Sequence, residues 1–270
     1  MIPIRDANPT HRVPWVTLAL ISANLAAFLF WQPVFASEAR QQGFFFCNAA
    51  IPWEISHGEN LARGGPAAQL ALDREFGLGA GAEVQGYMLR RCPDKSWLAS
   101  IFVSMFLHGG WLHIGGNMLF LWIFGNNVED RLGRLTFIAF YLLGGVAAML
   151  LQLAFDPSST VPTVGASGAI AAVLGSYLVL FPHARVTTLI VAWFITAVDL
   201  PAGVLLGMWF VLQLFSGVGQ LGTQVAGGVA YWAHVGGFAF GAIVTWLLFR
   251  GRRRPPRPST IWTPPRPDYF

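Results

Sequence analysis

Apolar residues run along this chain in long blocks rather than in strand-like alternation, and polar residues gather at the ends of those blocks. Residues 15–35 form the first block, with Asn24 strongly polar in its interior. Four further apolar blocks, each expected to be a span, cover 108–127, 135–155, 167–181 and 233–249, and another, 186–216, is interrupted by Asp199 and Pro201. Blocks of this length satisfy their backbone in lipid only as helices. Short interruptions separate them: the charged turn from Glu129 to Arg134, the breaker-rich link 156–163, and Pro182 to Arg185. In the interrupted block, 186–197 is expected to lie shallowly at the surface. The fifth span is expected over 200–216, with Pro201 in its first turn, where its missing N–H costs nothing. Residues 217–232 are Gly-rich and read as a flexible loop.

Composition agrees with this pattern. At 54% hydrophobic and 11% charged residues the chain falls outside the soluble globular class. The expected fold is an all-α polytopic membrane protein of six transmembrane helices with a large first loop. Its parts are a segment 1–14, a first helix 15–35, a loop 36–96 outside the membrane, a core 97–249 holding helices two to six, and a basic Pro-rich tail 250–270. Within the core, 97–107 is too short to span and is expected to lie in the interface. The net charge of +4 comes largely from that tail, a topology signal rather than a nucleic-acid one. With Arg131, Arg134 and Arg185 in the short inner loops, it places both termini in the cytoplasm. No cleavable signal or transit peptide is expected in 1–14, and the compact plan suggests a bacterial inner (cell) membrane. Cys47 and Cys92 then face an oxidising compartment. With no third cysteine to compete, a bridge is expected over two unpaired thiols.

Candidate chemistry centres on Val164-Gly-Ala-Ser-Gly-Ala-Ile170. Serines in membrane helices are commonly packing residues, so Ser167 gains meaning only if other residues supply a base and oxyanion donors. His234 opens the sixth span at the same outer level and is a candidate base. Ala171 and Gly175 follow Ser167 on one helix face, and Gly237 and Gly241 follow His234. Such small residues bring two backbones close enough for serine to reach an imidazole. His113 and Asn117 share a face of the second span and can both donate to an oxyanion. There is no His-Glu-x-x-His pattern and no cysteine cluster, so neither metal nor cofactor is expected.

Three motifs in this order, His113-x-x-x-Asn117, Gly165-x-Ser167-Gly168, and Ala233-His234 with Gly237-x-x-x-Gly241, resemble those of the rhomboid intramembrane serine proteases over about 97–249. The resemblance implies a Ser167–His234 dyad without an acidic third member, and an oxyanion held by His113, Asn117 and the Ser167 N–H. It also implies a single-span membrane protein as substrate, entering near the fifth helix beneath a cap over 217–232. In this chain Leu98 follows Trp97 where some relatives carry arginine, so Glu129 is expected to be solvated rather than paired with Arg131 or Arg134. Ala171 replaces a tyrosine that stacks on the histidine in some relatives, so support for the imidazole is expected from Trp232 or Phe238. A non-catalytic adaptor binding client helices is the alternative function. A transporter fits less well, since Gln152, Asp199 and Gln213 form no obvious series.

Overall fold

The computed structural model describes residues 1–191, 195–220 and 229–250. The expected tail beyond Arg250 and the middle of the expected cap, 221–228, lie outside them. Among the described residues the chain is mostly helical. Three helices are long and apolar enough to cross a membrane: α9 (Arg134–Phe155), α11 (Ala202–Gln220) and α12 (Tyr231–Phe249). A fourth candidate is a broken pair, bent by 80°. It joins α6 (Trp97–Val103) with its following 3-10 turn (Ser104–Phe106) to a second stretch. That stretch runs from α7 (Trp111–Phe120) through a π turn (Leu121–Gly125) into α8 (Asn126–Leu132). Two further apolar helices are shorter: α1 (Trp15–Ala26), extended by a π turn (Ala27–Trp31), and α10 (Ser167–Leu180).

Helix α10 is the centre of the bundle. Nearly all its side chains are buried, packed against Phe28, Leu121, Phe124, Tyr141 and Phe238 from the surrounding helices. A helix enclosed by protein does not need to match the lipid thickness, and its 14 residues rise only ~21 Å against a hydrocarbon core of ~30 Å. Its first residue, Ser167, is half-buried. Glycines set how closely α12 approaches: a Cβ on Gly237 would overlap the Gly168 carbonyl oxygen, one on Gly241 the Ala172 carbonyl oxygen, and one on Gly175 the Phe238 carbonyl oxygen. Gly168 itself faces Ala148 on α9, where a Cβ would come within 2.6 Å.

Four expectations change. The all-α reading misses an antiparallel sheet of order β1-β2-β3, formed by β1 (Ile2–Asp6), β2 (Arg185–Val191) and β3 (Ile195–Pro201). The expected surface segment is thus a hairpin, and Pro201 ends a strand before α11 instead of lying in its first turn. Helix α11 also runs to Gln220 and α12 begins at Tyr231, so only the centre of 217–232 is left for a cap. Second, the segment 1–14, expected as a part separate from the core 97–249, is tied to it: Asp6 at the end of β1 accepts from Tyr177 Oη (2.8 Å) and Asn127 Nδ2 (2.7 Å), which joins the N-terminal strand to α10 and α8. Burial raises the Asp6 carboxyl above its ordinary value.

Third, Glu129 is buried rather than solvated. Its carboxylate accepts from the backbone N–H groups of Val16 (3.0 Å) and Thr17 (2.7 Å) and from Thr17 Oγ1 (2.8 Å). Pro14 precedes α1 and offers no side-chain cap, so the orphan donors of the first turn take a carboxylate from α8, 113 residues away from Val16.

Fourth, the region 36–96 is a helical subdomain rather than a plain loop. It contains α2 (Glu38–Asn48), α3 (Pro52–His57), α4 (Gly65–Phe76) and α5 (Ala80–Arg91). Ile51, Trp53, Leu61, Leu72 and Met88 form its core. A disulfide joins Cys47 at the end of α2 to Cys92 just after α5, with Cα atoms 5.7 Å apart. Under that core lies a buried ion pair, Lys95 Nζ to Glu54 Oε2 at 2.6 Å. Burial raises the Glu54 carboxyl and lowers the Lys95 ammonium, each towards its neutral form. Replacing Lys95 with Met strands the carboxylate, and the expected loss is about 3–5 kcal/mol at neutral pH. A raised carboxyl binds its proton more readily folded than unfolded. The Glu54 contribution is therefore full below the unfolded value and is lost as pH rises through the folded one. The K95M loss should shrink at mildly acid pH, as read by denaturant unfolding followed through tryptophan fluorescence. An equal loss at both pH values would contradict this.

Candidate active site

The segment before α10 is held from several directions, which explains why its serine is presented in a defined pose. Gly165 N–H donates to the Ser104 carbonyl (3.0 Å), and Thr163 N–H donates to the Ala50 carbonyl (2.8 Å). Ala50 N–H in turn donates to Ser104 Oγ (2.6 Å). Earlier in the same link, Trp53 N–H bonds the Ser159 carbonyl (2.9 Å) and Ser56 Oγ bonds the Pro157 carbonyl (2.8 Å). Three of these partners belong to the disulfide-closed subdomain. It anchors the approach to Ser167.

Ser167 is the first residue of α10, whose first turn has no side-chain cap. The helix therefore presents unsatisfied N–H groups and the positive end of its dipole beside the hydroxyl. Ser167 Oγ lies 2.8 Å from His234 Nε2, on the first turn of α12. On the other side stands His113. Gly109 N–H donates to its Nδ1 at 3.2 Å, so the neutral ring carries its proton on Nε2 and can donate from there. A Cβ placed on Gly165 would stand 2.8 Å from His113 Nε2 and 3.3 Å from Ser167 Oγ. The absent side chain leaves room between donor and nucleophile for a small charged atom. Gly165 also has φ +128°, a conformation that L side chains rarely adopt.

Asn117 stands elsewhere. One turn beyond His113, its Nδ2 donates to the His113 carbonyl at 2.9 Å. It is buried, whereas the cavity is lined by Ser167, His234 and His113 without it. That cavity has a volume of about 1010 Å³, and Arg74 and Glu75 of α4 line it as well, so the subdomain forms part of its wall. Asp156 faces the same space, and burial raises both acids, the Asp156 charge adding to the shift at Glu75.

The imidazole is supported from α11 rather than by Trp232 or Phe238. Gln213 Oε1 lies 2.8 Å from His234 Nδ1, and the Trp209 ring is 5.8 Å from the imidazole centroid at 35°. Trp232 instead stacks on Phe155, and Phe238 on Phe210. Gln152 accepts from Ala233 N–H at 3.3 Å, so two glutamines without an apparent role in the sequence meet the start of α12. Their signal was available: a polar side chain inside an apolar helix marks a partner. Which partner is decided by the tertiary fold.

The rhomboid domain signature matches residues 95–251, more than half of the chain. The chain belongs to the rhomboid family, which includes serine intramembrane proteases. It is 30% identical to the Saccharomyces cerevisiae protein named Rhomboid protein 1, mitochondrial, over 170 residues, 61% of this chain and 46% of that one. With RHOMBOID-like protein 4 of Arabidopsis thaliana it shares 27% over 242 residues, 87% of this chain and 52% of that one. A shorter match, 40% over 67 residues, is to Rhomboid-like protein 11, chloroplastic, of the same plant, 25% of this chain and 24% of that one. The chain spans about half the length of the first two of these relatives.

Proposed function

We propose that this protein is an intramembrane serine endopeptidase that cleaves single-span membrane proteins near the outer face with a Ser167–His234 dyad. The observation that carries this reading is the 2.8 Å contact between Ser167 Oγ and His234 Nε2, made beside an Nε2–H donor on His113. In the first step Ser167 Oγ attacks the scissile carbonyl carbon while His234 Nε2 takes the hydroxyl proton. Negative charge moves onto the carbonyl oxygen, which occupies the gap at Gly165 and accepts from His113 Nε2–H and the Ser167 N–H. His234 then returns the proton to the leaving amine, and the acyl-serine remains. Water from the cavity, deprotonated by the same imidazole, releases it.

In this reading six helices cross the bilayer, α1 with its π turn and the buried α10 joining the four longer candidates. The disulfide-closed subdomain faces the oxidising outer side of a bacterial cell membrane, and both termini face the cytoplasm. The substrate helix enters along α11. The adaptor alternative shares the fold but makes no use of a hydrogen-bonded Ser–His pair. The test is a reconstituted single-span substrate whose products are mapped by mass spectrometry. A single cut near the outer end of its apolar stretch is expected, whereas stable binding with no cut would support the adaptor instead.

A further inference from the structure

We propose that Gln213 is a positioning residue that holds the His234 imidazole in the tautomer the serine chemistry needs, an inference that rests on the Ser–His reading above. Two bonds run through one ring: Gln213 Oε1 at 2.8 Å from Nδ1, and Ser167 Oγ at 2.8 Å from Nε2. A neutral imidazole has one N–H, so one nitrogen donates and the other accepts. An amide oxygen only accepts. The proton therefore sits on Nδ1, and the Nε2 lone pair faces the hydroxyl it must deprotonate.

Position on the helix adds to this. Trp209 and Gln213 are four residues apart on α11 and so share a face. One flanks the ring at 5.8 Å and the other bonds its edge. When Nε2 takes the serine proton, the ring becomes a cation and the Nδ1–H bond to Gln213 becomes charge-assisted, stronger than in the resting state. Gln213 thus does more for the protonated ring than for the neutral one, and it adds no charge of its own. Helix α11 is the least buried of the three long helices, so the ring is oriented by the element that packs most loosely around the site.

A glutamine in an apolar helix also seeks a partner for solvation alone, and the test must separate orientation from packing. Gln213→Leu removes the acceptor at similar size, and Gln213→Glu retains one. Turnover of a single-span substrate in proteoliposomes is measured for both, with the ¹⁵N spectrum of the His234 ring, assigned by its absence in His234→Ala. Q213L should lose about 10- to 100-fold in kcat, less than the roughly 10⁴-fold seen when a buried carboxylate partner is replaced. Its KM should stay within about twofold, and its ring should no longer be held as the Nδ1–H tautomer. Q213E should recover most of the lost kcat and the Nδ1–H signature. Wild-type kcat in Q213L, a loss confined to KM, an unchanged tautomer, or a folded Q213E as slow as Q213L would each overturn the proposal. Fluorophosphonate labelling separates the two layers. Wild type labelled at Ser167 as fast as Q213L sinks only the positioning role, whereas a wild type that resists labelling sinks the dyad and this inference with it.

Discussion

Ser167→Ala should reduce cleavage of a single-span substrate by at least about 10,000-fold, and His234→Ala should do nearly the same. The two changes together should cost little more than either alone. Each removes one half of a single event, the transfer of a proton from Oγ to Nε2 across 2.8 Å, and groups that act as a unit are strongly non-additive. Neither substitution disturbs the surrounding fold by cavity formation, since serine to alanine removes one oxygen and His234 lines an existing cavity. Both variants should therefore keep the Cys47–Cys92 bridge and unfold with wild-type midpoints. Single-turnover kinetics in proteoliposomes measure the loss. Either variant cutting at a wild-type rate removes the dyad from the mechanism.

Gly165→Ala should be the next most damaging change, although it alters no group that transfers a proton. Two costs combine. At φ +128° an alanine is strained by about 1–3 kcal/mol, and its methyl would sit 2.8 Å from His113 Nε2, where the oxyanion belongs. Losing one oxyanion donor typically costs about 10²–10³ in kcat, and G165A should reach that range with a modest fall in stability. His113→Ala should match the loss in kcat without the strain. Combining the two should be clearly less than additive, because removing the imidazole also removes the clash. A double variant whose losses multiply would place the oxyanion somewhere other than this gap.

Much of this site could be read before folding because its signals are local. Gly-x-Ser-Gly, the His113 and Asn117 pair and the glycines after His234 are short motifs, and apolar block length sets most of the helices. The close approach of α12 to α10 follows from the same glycines, since each missing Cβ faces a backbone carbonyl. What escaped depends on contacts that no local pattern encodes. β1 is a five-residue segment that becomes a strand only because Ile2 to Asp6 find Val186 to Leu189. Glu129 looks like a surface acid in a charged turn, and its role exists only because the N-terminus of α1 arrives beside it. The subdomain reads as a loop in sequence because its helices are short and interrupted by Gly and Pro. Its apolar residues, Trp53, Leu61, Leu72 and Met88, are too far apart in sequence to declare a common core. Asn117 is the opposite case, a motif residue whose side chain bonds the His113 backbone rather than lining the cavity.

Activation of Ser167 as a nucleophile by His234 can be tested without knowing a substrate. The protein in detergent is exposed to a fluorophosphonate, and modified serines are mapped by mass spectrometry in wild type and His234→Ala. Ser176 serves as an internal control, since it lies about two and a half turns along the same helix, is buried, and accepts a hydrogen bond from Thr245 Oγ1 at 2.8 Å. The expected result is modification at Ser167 alone in wild type and its loss in the His234 variant. Folded wild-type protein that leaves Ser167 unmodified, or labelling that persists unchanged in His234→Ala, would contradict it.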